Sequence, residues 1–228
     1  KVLYEVDGIP LLEYEINRVK QSKFINDIVV ATTNNPEDKK IVDLCQQAGI
    51  KSFCGSENDV LDRYYQCLKQ YPGFESIIRI TGDCPLIDPQ LIDEVITFFA
   101  NGNYDYASNI FVDDRARETF PDGMDIEVFS AQCLADAAKN AKLPSEREHV
   151  TPYFRNSKKF MIGNFPSQGN YSDIRLTLDY PQDFEVIQFL IRNSKPTDNY
   201  MTYVKLLENN PEIFAKNKHW ITDQAKMD

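Results

Sequence analysis

Two aspartates stand where a cation-dependent reaction could be run. Asp83 follows the apolar run Ser76 to Thr81, in the stretch Arg79-Ile80-Thr81-Gly82-Asp83-Cys84-Pro85-Leu86. Asp179 follows Ile174 to Leu178, in Arg175-Leu176-Thr177-Leu178-Asp179-Tyr180-Pro181. Both runs read as strands, and ligands of open α/β sheets gather beyond the carboxyl ends of strands. Gly82 would permit a sharp turn before Asp83, and Pro181 opens a helix after Asp179. Two oxygen ligands from two loops suit Mg²⁺, which takes one or two carboxylates and completes its shell with phosphate and water. The competing assignment is that each aspartate caps the helix after it, and pattern alone favours capping.

Other residues have chemistry to offer in the same region. Arg79 could reach a substrate phosphate, or it could form a surface ion pair. Asp125 and Glu127 alternate along a possible strand from Met124 to Phe129, which would turn both side chains to one face, a cleft or solvent. His149 could contact a sugar, although a local structural role is favoured. Cys84 lies beside Asp83 but has no histidine near it in sequence, which points to a buried free thiol instead of a nucleophile.

Placing the two aspartates at one edge requires a regular alternation of elements, and the sequence supplies it. Strands are predicted at about 28–32, 50–54, 76–81 and 104–109. Between them Ile41, Val42, Cys45 and Ala48, then Val60, Leu61, Tyr64 and Leu68, then Leu91, Ile92, Val95 and Phe99 recur at helical spacing. Asn35-Pro36 and Asp88-Pro89 mark helix starts. This is the pattern of an α/β fold with a mostly parallel sheet and helices on both faces. The regularity weakens from Ile110 to Phe129, where Asp113, Asp114, Arg115, Arg117, Glu118 and Asp122 make a charged loop. Further strands are expected at 124–129, 160–165 and 174–178, and helices at 131–142, 146–156, 181–192 and 200–209. With no repeat and no linker, residues 1–228 read as one domain carrying an inserted region at about 110–172.

The formal net charge of −10 argues against nucleic-acid and membrane partners, which need basic surfaces. Five cysteines without a C-x-x-C pair read as reduced thiols, and two histidines are too few for a zinc site. No apolar run approaches a membrane span and the first residues show no secretory signal, so a cytoplasmic protein is expected.

Five stretches in order resemble one family. They are Gly55-Ser56-Glu57-Asn58-Asp59-Val60-Leu61-Asp62-Arg63-Tyr64, Arg79 to Pro89, Asp122-Gly123-Met124-Asp125-Ile126-Glu127-Val128-Phe129, Ser145 to Tyr153, and Leu176 to Asp183. Together they are similar to the cytidylyltransferase family, the proteins related to a spore-coat polysaccharide biosynthesis protein and to the enzymes that activate sugar acids with CTP. The resemblance implies a Rossmann-like nucleotide-diphospho-sugar transferase sheet. It also implies Mg²⁺ held by Asp83 and Asp179, catalysis at those two residues, and nucleotide contacts from Lys1, Asp62 and Arg63. Arg79 is the further nucleotide candidate, and Asp125, Glu127 and His149 are the sugar-side candidates, on the residue readings above. The implied substrates are a nucleoside triphosphate, CTP by resemblance, and a sugar, and the implied assembly is a homodimer. Family members open with a strand and a phosphate-cradling loop that ends in a lysine, which Lys1 resembles; a sequence trimmed before Lys1 is therefore expected. Two rivals remain at this level. One is a glycosyltransferase using a finished nucleotide sugar, and the other is a non-catalytic module without the phosphate loop.

Overall fold

The computed structural model describes residues 1–110 and 120–220. The chain enters through a two-residue hairpin, β1 (Glu5–Val6) and β2 (Ile9–Pro10), around an Asp7-Gly8 turn. It passes at once into α1 (Leu11–Val19), whose inner side is Leu11, Leu12, Ile16 and Val19. Arg18 is carried inward with them and is only 1% exposed. Its guanidinium is satisfied by carbonyls, with Nε donating to Ile87 O at 2.6 Å, Nη1 to Pro196 O at 2.9 Å and Nη2 to Asp198 O at 2.7 Å. It also lies against the Tyr203 ring, 5.5 Å from the centroid.

Alternation follows as the sequence predicts. β3 (Val29–Thr33) leads through a short 3₁₀ turn into α2 (Lys39–Gln47) and β4 (Lys51–Gly55), and β3 and β4 pair in parallel. α3 (Val60–Gln70), β5 (Ser76–Arg79), α4 (Pro89–Asn101) and β6 (Tyr106–Ser108) come next. Then β7 (Glu127–Ser130), α5 (Ala131–Asn140), α6 (Pro144–His149), α7 (Pro152–Asn156) and β8 (Ile162–Asn164) build the second half. α8 (Pro181–Arg192), α9 (Tyr200–Asn209) and α10 (Pro211–Phe214) close it.

The larger sheet has the order β5-β7-β6-β8. β7 is antiparallel to both of its neighbours and β6 is parallel to β8, so β5, β6 and β8 point one way and β7 alone is reversed. Neighbouring residues of β7 face opposite sides. Val128 packs in the cluster formed with α1, α4, α8 and α9, while Phe129 packs with Leu134, Ala137, Val150 and Phe154. Helices therefore cover both faces, as expected of the α/β class.

Three local expectations are corrected. Residues 174–178 are extended but form no strand; Arg175 alone makes a bridge, to Asp122. The helix expected over 146–156 is two short ones. They part at Val150, whose φ is 68°, and α7 restarts on Pro152, a residue that cannot continue a helix from the preceding turn. The strand expected over 124–129 begins only at Glu127, because Asn109 takes up the backbone before it through Met124 O and Ile126 N. The charged residues 113–118 lie outside the described residues.

Among the described residues no ladder joins β3 to β5. The space between them is a cavity of about 450 Å³, walled by both strands and by side chains of α1 and α3. Three buried polar atoms without partners, Glu15 Oε2, Arg63 Nε and Arg79 Nε, belong to residues of this wall.

Candidate active site

Asp83 and Asp179 are brought together by backbone as well as by side chains. Leu178 N donates to Asp83 O at 2.9 Å and Thr177 Oγ1 donates to the same oxygen at 3.2 Å. The loop after β5 is thus fastened to the segment before α8. Their carboxylates then converge on one cation: Lys1 Nζ is 3.1 Å from Asp83 Oδ2 and 2.7 Å from Asp179 Oδ1. Thr81 Oγ1 donates to the other oxygen of Asp83 at 2.6 Å, and Arg175 Nη2 donates to the other oxygen of Asp179 at 2.8 Å. All three converging side chains are partly open to solvent.

Helix capping does not account for either aspartate. α4 is capped by Asp88, which accepts from Gln90 N at 2.8 Å. At the start of α8 the backbone donors of Asp179 and Tyr180 go to Asp183 Oδ2, each at 2.9 Å. With both helix starts served by neighbours, the carboxylates of Asp83 and Asp179 are left for the cleft. Gly82 needs no special backbone: a Cβ there would meet nothing nearer than Val2 Cγ1 at 3.7 Å, so the turn before Asp83 does not depend on glycine.

Charge organises this corner. Burial alone would raise the Asp179 carboxyl, but the hydrogen bonds from Lys1 and Arg175 outweigh it and hold the group below the usual carboxylate range. Burial likewise opposes the charge on Lys1, and its two aspartate partners overcome that and raise its pKa. Cys84 is different. Burial first, then the carboxylates of Asp83, Asp125 and Glu15, push its thiol well above the ordinary range, which leaves no thiolate for nucleophilic work.

The other sequence-predicted residues are distributed unevenly. Arg79 and Glu127 face each other across β5 and β7 and form an ion pair. Glu127 is 2% exposed, and its Oε1 also accepts from Tyr106 Oη at 2.8 Å and Thr151 Oγ1 at 2.6 Å. In this structure Glu127, expected at the sugar, and Arg79, expected at phosphate, are paired with each other inside the sheet, where an unpaired charge would be costly. Arg63 borders the cavity between β3 and β5 and donates to Ser56 O at 2.9 Å. Asp62, next to it on α3, accepts from Gln66 Nε2 at 3.0 Å. His149 is exposed at the end of α6, and its main-chain carbonyl accepts from Thr151 N at 2.7 Å.

Sequence reasoning passed over Arg175, which is fully buried and reaches Asp122, Asp179 and Asp183. The available signal was an arginine inside an apolar run, four residues before an aspartate, a spacing that otherwise reads as an exposed ion pair. Among the described residues no group of three or more His, Cys, Asp or Glu side chains could by itself hold a metal. Two carboxylates sharing one cation fit Mg²⁺ rather than a closed protein cage, since Mg²⁺ keeps most of its shell for phosphate oxygens and water.

Comparison with known proteins identifies the family. The sequence model of the cytidylyltransferase family matches residues 1–219. The spore coat polysaccharide biosynthesis protein SpsF of Bacillus subtilis is 31% identical over 230 residues, covering 96% of this chain and 91% of that protein. A 3-deoxy-manno-octulosonate cytidylyltransferase of Acidovorax sp. is 28% identical over 156 residues, 66% of this chain and 57% of that enzyme. The solved structure of a cytidylyltransferase from Leptospira borgpetersenii superposes with a TM-score of 0.86 at 32% identity, covering 94% of this chain and 89% of that one. The α/β sheet with its reversed strand is therefore the Rossmann-like fold of the nucleotidyltransferases, and the chain belongs to the cytidylyltransferase family.

Proposed function

We propose that this enzyme transfers a cytidylyl group from CTP to a sugar or sugar acid and releases pyrophosphate, in the synthesis of a surface polysaccharide. The observation that carries the reading is the convergence of Asp83 and Asp179 on one ammonium, on arms that are hydrogen-bonded to each other. Mg²⁺, held by these two carboxylates, would offset the charge on the phosphoryl oxygens. The chain's own residues do the rest. Lys1 supplies a cation for phosphate oxygens, Arg63 and Asp62 border the nucleotide side, and Asp125 with His149 borders the sugar. The acceptor hydroxyl attacks the α-phosphorus, the bond to the bridging oxygen breaks, and the electron pair leaves with pyrophosphate. No covalent enzyme intermediate is required, which fits a site whose thiol is buried and protonated.

The enzyme is further proposed to be cytoplasmic and homodimeric; no helix among the described residues is long and apolar enough to cross a membrane. Light scattering that finds only a 26.3 kDa species would reject the dimer. The catalytic reading is tested with Asp83→Asn and Asp179→Asn, which keep size and remove charge. Each is expected to lower Mg²⁺-dependent pyrophosphate release from CTP and a sugar by roughly a hundredfold or more, with the fold retained by circular dichroism. Near-normal turnover in both variants rejects it. Turnover of a nucleotide sugar, without pyrophosphate release from CTP, would select the glycosyltransferase instead.

A further inference from the structure

Arg175 has zero exposure and spends its guanidinium on three different carboxylates. Nε and Nη2 hold Asp183 at 2.9 and 3.0 Å, Nη2 also reaches Asp179 Oδ2 at 2.8 Å, and Nη1 reaches Asp122 Oδ2 at 2.7 Å. The three acceptors differ in kind. Asp183 is buried and held on several sides, since it also accepts two backbone N–H groups at the start of α8 and Asn217 Nδ2 at 3.0 Å. Asp122 and Asp179 are each 31% exposed and stand at the cleft. The guanidinium therefore rests on a fixed buried anchor and holds two half-open carboxylates. Backbone hydrogen bonds reinforce the link, with Asp122 N donating to Ile174 O at 2.9 Å and Leu176 N donating to Asp122 O at 2.8 Å.

The consequence for Asp179 is geometric. A free carboxylate can present either oxygen, or rotate between them. Here Oδ2 is taken by Arg175, so Oδ1 is the oxygen turned to the position now filled by the Lys1 ammonium. The guanidinium spreads its donors over three nitrogens in a fixed plane and so reaches three separated carboxylates, whereas a lysine has its three donors on a single atom and would keep the charge without that reach. We propose that Arg175 is the positioning residue of this site. It fixes which oxygen of Asp179 faces the cation position, and it couples the cation arm to the Asp122 loop. The inference rests on the two-carboxylate reading above and adds a residue that acts through Asp179 without touching substrate.

The experiment titrates Mn²⁺ alone against the whole protein and reads free Mn²⁺ by electron paramagnetic resonance, normalised to the folded fraction. Arg175→Lys keeps the charge and loses the fork. It is expected to weaken Mn²⁺ binding between about tenfold and a hundredfold, the usual cost of removing a partner that orients a metal ligand. Asp122→Asn, at a half-open position, is the variant to rely on should Arg175→Lys not fold, and a smaller loss in the same direction is expected. A merely structural role would lower the melting temperature and leave the Mn²⁺ constant of the folded molecules unchanged. Asp179→Asn separates the two levels. If it loses Mn²⁺ while both Arg175→Lys and Asp122→Asn bind as the wild type does, the positioning role is wrong and the two-carboxylate reading stands. If Arg175→Lys does not fold, wild-type affinity in Asp122→Asn alone overturns the positioning role. Wild-type protein that binds no Mn²⁺, or Asp179→Asn that binds it equally well, overturns the reading and this inference with it.

Discussion

Gly123 sits where the Asp122 loop crosses the segment that carries Asp179, and its replacement by alanine should be costly in two separable ways. Its φ is +93°, in the left-handed region. A Cβ would lie 2.6 Å from Thr177 N, 2.7 Å from Leu176 C and 3.0 Å from Leu176 O, all backbone atoms. That backbone cannot yield easily, because Leu176 N is bonded to Asp122 O, and Leu178 N and Thr177 Oγ1 are bonded to Asp83 O. The left-handed conformation costs about 1–2 kcal/mol for a residue with a Cβ. Forcing an extra carbon into a packed site adds about 1–3 kcal/mol. Gly49→Ala isolates the first cost, since its φ is +67° and a Cβ there would meet nothing within 4 Å. The gap between the two variants, about 1–3 kcal/mol, corresponds to roughly 2–12 °C in melting temperature for a chain of this size. Thermal melts and urea titrations followed by circular dichroism measure it. If Gly123→Ala proves no less stable than Gly49→Ala, the close approach of the two segments is not what holds the site together.

Arg18→Met should lose about 1–3 kcal/mol in urea unfolding, because the buried Ile87 carbonyl and the part-buried carbonyls of Pro196 and Asp198 lose their donor; a loss below about 1 kcal/mol would mean that those carbonyls find other partners. Burial pushes the Tyr203 hydroxyl up to about 12, against the opposing pull of Arg18. The folded value lies above the unfolded one, so this contribution is complete below about pH 10 and is lost as pH rises towards 12, about 2–3 kcal/mol in all. Tyr203→Phe should lack that alkaline loss in melts across the same window, and an unchanged profile would count against it. Iodoacetamide near neutral pH should leave Cys84 unlabelled by peptide mass spectrometry and pyrophosphate release intact, as its buried and raised thiol requires; labelling of Cys84 in folded protein would contradict that.

The alternation of strands and helices was legible because it rests on apolar spacing, and that spacing records only which side of an element is buried. The reversed β7 was not legible in the same way: a short strand after a charged loop gives no sign of its direction, which depends on how the chain returns from β6. Asp83 and Asp179 were legible as a pair because each ends an apolar run before a proline-marked segment. What each carboxylate does was hidden, since it depends on Asp88 and Asp183 taking over the capping. Glu127 has partners that the sequence hid. Its alternation with Asp125 suggested a shared face, but Asp125 lies before the strand starts, and Glu127 is turned to Arg79, 48 residues away. Arg175 was missed because a buried arginine is recognised only by its partners, and Asp122 is 53 residues distant from it.

The contacts of Lys1 and Arg18 also set an order of events during synthesis. Lys1 waits for Asp179, 178 residues later, and Arg18 waits for the carbonyls of Pro196 and Asp198, 178 and 180 residues later. At about 5–20 residues per second, a ribosome needs roughly 10–40 s to deliver those partners. Through that interval α1 carries a guanidinium with none of its final acceptors except Ile87 O, and the Asp83 loop lacks the segment that fastens it. The cleft therefore closes late in translation, and a nascent chain interrupted before residue 179 carries only one of the two carboxylates that the proposed reaction uses.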